Sequence, residues 1–153
     1  MAAKADLIGA TVDVNFYYPD IGSFYCASGN AVVGGGVEYP SGCSGFSPVS
    51  IDITPSQIIV DTGGYSWNSG AFNGFIMSIL SGPDLASVIY NAGLSTMGVT
   101  SYGFGSMSAS FNFASQSGGV AYFDYTTVPE PGTLALLGIG LLGMGLARRK
   151  KTA

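Results

Sequence analysis

The segment SMSASFNF, Ser106 to Phe113, alternates without a break: Met107, Ala109, Phe111 and Phe113 fall on one side of an extended chain, and Ser106, Ser108, Ser110 and Asn112 on the other. A period of two belongs to a strand with one dry face and one wet face, because a helix would mix the two sets. The same period runs through TVDVNFYY, where Val12, Val14, Phe16 and Tyr18 oppose Thr11, Asp13, Asn15 and Tyr17. It recurs in VSIDIT, where Val49, Ile51 and Ile53 oppose Ser50, Asp52 and Thr54. Further strands are predicted at 31–39, 57–61, 72–80, 86–90 and 120–126, with turn residues between them at Pro19-Asp20, Pro40-Ser41-Gly42, Gly63-Gly64, Gly82-Pro83 and Gly118-Gly119. Leu85, Val88 and Ile89 also fit helical spacing, and there the two readings compete. About eight short strands with close turns predict an all-β fold over residues 6–127, a two-sheet antiparallel sandwich of jelly-roll-like kind.

Charge narrows the partners of such a body. Only 9% of residues are charged, and the chain has no histidine. All carboxylates but Glu130 lie between Asp6 and Asp124, a span with no lysine or arginine. A body without a cation cannot neutralise phosphates, so neither nucleic acid nor nucleotide is an expected partner. The same lack removes the general base that serine nucleophiles need, and the serine-based hydrolase constellations cannot be assembled. Two carboxylates alone can cleave a glycosidic bond, and Glu38, Asp52 and Asp61 are nominal candidates. Nothing in their spacing selects a pair, so no enzyme and no catalytic residue is expected. No D-x-D-x-D-G loop is present, and neither a metal site nor a cofactor is expected.

Cys26 and Cys43 flank a glycine-rich stretch that a disulfide can close, and two buried thiols are the alternative. Export would select the disulfide. At the N-terminus, MAAKA lacks the apolar run of a signal peptide, while Ala3-Lys4-Ala5 has the A-x-A form of a cleavage site. Residues 1–5 are therefore expected to be a signal-peptide remnant, with the mature chain starting near Asp6.

In GGYSWNSG, Tyr65, Trp67 and Asn68 set aromatic faces beside an amide within a glycine-flanked loop. This combination suits a neutral sugar ring, so the three are candidate glycan contacts. The competing reading buries the single tryptophan between the sheets.

The last 26 or so residues differ from everything before them. Residues 133–147 are uncharged and would form a helix of about 22 Å, short against a hydrocarbon core of about 30 Å. Pro129 and Pro131 stop that helix from extending backwards. Arg148, Arg149, Lys150 and Lys151 hold its far end on the cytoplasmic side. A short C-terminal transmembrane helix with the body outside is the expectation. GIGLLG, 138–143, spells a dinucleotide-binding fingerprint, but no βαβ unit surrounds it and no acidic partner follows.

Val128-Pro129-Glu130-Pro131-Gly132, a short glycine-rich apolar helix and a terminal basic cluster, in that order, resemble the PEP-CTERM sorting signal. The resemblance implies recognition by an exosortase in a Gram-negative bacterium that builds exopolysaccharide. It implies export, a transient stop in the inner membrane, and processing near the Pro-Glu-Pro motif. The protein would then reach the cell envelope or extracellular matrix. An exported structural or interaction protein associated with exopolysaccharide is the function this predicts, with a carbohydrate-binding module as the alternative.

Overall fold

The computed structural model describes residues 6–43 and 48–129. Nine strands are present among them: β1 Thr11–Tyr17, β2 Phe24–Val32, β3 Ser50–Ile53, β4 Gln57–Asp61, β5 Gly74–Ser81, β6 Leu85–Tyr90, β7 Ser101–Gly105, β8 Ser108–Asn112 and β9 Val120–Thr127. They form two antiparallel sheets, one in the order β2-β1-β5-β8-β7 and the other β3-β4-β9-β6. The described residues contain no helix. The segment at Leu85, Val88 and Ile89 is strand β6, with Leu85 and Val88 buried and Ile89 exposed.

The alternating segments become the strands that face the core. Val12, Val14 and Phe16 point inward from β1, and Ile51 and Ile53 from β3. Ala109 and Phe111 do so from β8, with Phe113 just beyond it. The sheets meet through aromatic rings: Phe123 of β9 lies 4.6 Å from Phe111 and 6.2 Å from Phe113, and Phe111 packs 4.9 Å from Phe75 of β5. Such contacts bury large apolar area and add about 0.5–1.5 kcal/mol per pair beyond it.

Two expectations are corrected. The strand predicted at 31–39 lies earlier, at Phe24–Val32, because Gly34, Gly35 and Gly36 break the chain after Val33. Beyond them only an isolated bridge, Tyr39 to Ile51, resumes pairing. Tyr18 does not continue the inward face of β1, which ends at Tyr17 as the chain turns at Pro19-Asp20. Five of the eight connections cross between the sheets: β2–β3, β4–β5, β5–β6, β6–β7 and β8–β9. β1/β2, β3/β4 and β7/β8 pair with their sequence neighbours inside one sheet.

The sandwich has two distinct poles. At one, Leu7 donates its N–H to the Tyr125 hydroxyl at 3.2 Å, and Val128 donates to Asp84 O at 2.8 Å, so β9 ends beside the start of β1. At the other, Thr62 donates to Gly119 O at 3.0 Å and Phe72 to Pro19 O at 3.0 Å, so the β4–β5 connection lies beside the end of β1.

Candidate functional site

The second pole holds a cavity of about 240 Å³. Four segments build it. β1 and its turn supply Phe16, Tyr17 and Tyr18, and β2 supplies Tyr25. The β4–β5 connection contributes Tyr65, Trp67 and Asn68, leading into Asn73 and Gly74. Cys43 completes the lining. No charged side chain is among these residues.

The β4–β5 connection has no regular structure, so hydrogen bonds to other loops must fix it. Trp67 donates its backbone N–H to Gln116 O at 2.9 Å, and Asn73 Nδ2 donates to Asn68 O at 3.0 Å. Asn112, buried at the end of β8, organises the rest. Its Oδ1 accepts from the backbone N–H groups of Asn73 and Ala114, both at 3.0 Å, while its Nδ2 donates to Ala71 O at 3.2 Å. Gly74 sits so close to β8 that a Cβ there would lie 1.9 Å from Phe111 O.

Within this frame Trp67 is 5% exposed, with its ring 5.1 Å from Phe113 at 30°. Tyr65 stands edge-on against it at 5.9 Å and 79°, and is itself 43% exposed. The indole thus packs on the core, as the burial reading expects, and it also lines the cavity. Its Nε1–H is buried and is the one buried side-chain polar atom without a hydrogen bond among the described residues.

All three candidate glycan contacts, Tyr65, Trp67 and Asn68, line the same cavity. Tyr17, Tyr18, Tyr25 and Asn73 join them, the last two without any local sequence signal. The Tyr-Pro-Asp turn was the one available hint, since it halts β1 with two tyrosines at its end.

Cys26 and Cys43 form a disulfide, their Cα atoms 5.4 Å apart, tying the β2–β3 connection to edge strand β2. Glu38 braces that connection, accepting from Gly34 N at 2.8 Å and Ile53 N at 2.7 Å. No group of three or more His, Cys, Asp or Glu gathers at a metal-like spacing among the described residues.

At the first pole, Val128 and Pro129 leave the sheet exposed to solvent. Residues 127–151 match the family model for the PEP-CTERM protein-sorting motif. The chain carries a PEP-CTERM sorting motif. That motif marks the protein for export through a sorting pathway of Gram-negative bacteria. The PEP-CTERM match begins at Thr127, the last residue of β9, so body and signal abut without a linker. No curated protein and no solved structure matches the chain. Glu130, Pro131, Gly132, the expected helix 133–147 and the basic cluster Arg148, Arg149, Lys150 and Lys151 lie outside the described residues. So does the expected signal-peptide remnant at 1–5.

Proposed function

We propose that this is an envelope or extracellular-matrix protein that an exosortase processes near Pro129-Glu130-Pro131. Helix 133–147 holds it briefly in the inner membrane, with Arg148 to Lys151 on the cytoplasmic side. Its role is structural or interactive beside exopolysaccharide, without catalysis and without a cofactor. The observation that carries this reading is the sorting motif at 127–151, which starts where the folded body stops. The Cys26–Cys43 disulfide supports it, because such bonds persist in oxidising compartments.

Fractionation tests the reading. In a host with an active exosortase and an export signal supplied, the wild type loses its C-terminal segment and leaves the inner membrane. A Glu130→Ala, Pro131→Ala variant stays there at full length. The processing reading is falsified if both remain uncleaved to the same extent.

The cavity at the far pole favours a second reading, a carbohydrate-binding module. Its lining joins aromatic rings to amides and carries no charge.

A further inference from the structure

The cavity lining states a chemical preference. Tyr17, Tyr18, Tyr25 and Tyr65 bring aromatic faces with hydroxyl tips, and Asn68 and Asn73 bring amides that both donate and accept. No side chain of either charge is available to hold an anion or a cation. Across the chain, all acidic residues but Glu130 lie between Asp6 and Asp124, with no lysine or arginine in that span, so an anionic polymer is repelled.

Trp67 adds an observation of a different kind. A buried, unpartnered indole N–H is costly, and close-packed interiors rarely retain one without use. One side of the indole packs on Phe113 and cannot open without disturbing the core. Tyr65 stands edge-on to the same indole and is partly exposed on the loop after Gly63 and Gly64. Both glycines have positive φ, 56° and 88°, a backbone conformation that glycine adopts readily and that sets the loop entry.

We propose that this cavity is a binding subsite for a neutral sugar residue of a glycan chain. The tyrosine rings stack on the apolar face of the sugar ring, and the Trp67 Nε1–H donates to a sugar hydroxyl as Tyr65 turns aside. This deepens the carbohydrate-binding reading and rests on it. A proline-rich peptide would also suit tyrosines and an indole N–H. Each proline in it lacks an N–H, however, so it offers fewer donors to the Asn68 and Asn73 carbonyl oxygens than a sugar's hydroxyls do.

Because Trp67 is the chain's single tryptophan, its fluorescence reports on the cavity alone. Full-length protein in mild detergent is titrated with cellohexaose, maltoheptaose and a neutral galactomannan, with alginate and decaproline as contrasting probes. At least one neutral glycan is expected to shift Trp67 emission, and neither contrasting probe is. Tyr25→Ala, at an exposed position, is expected to weaken that binding about tenfold or more. Trp67→Phe keeps a ring and removes the donor, and calorimetry is expected to show a similar loss. Phe104→Ala, an exposed aromatic outside the cavity, is expected to change nothing. Glycan binding that leaves Trp67 emission and the Tyr25→Ala affinity unaltered overturns this site while the carbohydrate-binding reading stands. No response to any neutral glycan overturns both. A response to decaproline alone reassigns the cavity to a peptide.

Discussion

The hydroxyl of Tyr39 lies 3.0 Å from the backbone carbonyl of Val12, joining the β2–β3 connection to strand β1 across the sandwich. The same oxygen is 3.0 Å from Gly29 O. Burial first, then the nearby Asp13 and Glu38 carboxylates, push its ionisation above the usual phenol range. Tyr125, whose hydroxyl donates to Thr54 O at 2.7 Å, is also shifted upward, chiefly by burial.

These two phenols make the fold sensitive to alkali. The unfolded chain releases a tyrosine proton near pH 10, while the folded chain holds it to higher pH. The folded state therefore binds more protons, so the contribution is complete below about pH 10 and falls as pH rises further toward the folded-state value. Urea midpoints measured between pH 8 and 11 are expected to decline above about pH 10. Tyr39→Phe, which costs about 1 kcal/mol at neutral pH, is expected to decline less steeply. Parallel curves for wild type and variant would refute the assignment.

Reduction of Cys26–Cys43 reopens the connection that carries Cys43 into the cavity lining. The loop entropy it restricts is worth about 3 kcal/mol, which for a chain of this size lowers the melting temperature by about 6–12 °C. Mass spectrometry of unreduced exported protein is expected to show the bond intact. Calorimetry with and without reductant measures the shift.

Gly74→Ala tests the contact between β5 and β8. The added methyl would collide with the Phe111 carbonyl, a backbone atom that cannot move without breaking the ladder. A loss of about 1–3 kcal/mol or more is expected in denaturant unfolding. A variant as stable as wild type would show that the strands separate easily there.

Asn112→Ala tests the polar clasp behind the cavity. It leaves the buried N–H groups of Asn73 and Ala114 without their shared acceptor, at about 1–3 kcal/mol each. Hydrogen exchange is expected to quicken in the 68–74 connection before β1 is affected. Uniform protection throughout would reject the clasp.

Periodicity located the strands whose inner face is fully covered, such as β1, β3 and β8, because burial imprints a period of two on composition. β2 was misplaced and β7 missed for the same physical reason. Each is an edge strand with no fully buried position, so Phe24, Tyr25, Val32, Tyr102 and Phe104 stand exposed and no dry face is written into the residues. The cavity was half legible. GGYSWNSG announced its aromatic loop, but Tyr17, Tyr18 and Tyr25 reach it through pairing of distant segments, which local pattern does not encode. The sorting motif needs no tertiary contact to be recognised, so it could be read from the residues directly.

The opposition of the two poles has a mechanical consequence. The C-terminal segment leaves β9 beside Asp84, whereas the cavity lies past the other end of β1, one strand length away, about 20 Å. A pull between an attached C-terminus and a ligand held in the cavity runs along the strands and loads their cross-strand hydrogen bonds in shear. Bonds loaded in shear share the force and yield together, where a transverse pull would unzip them one at a time. β9, the strand that leads to the tail, lies between β4 and β6 and is held on both sides against sliding.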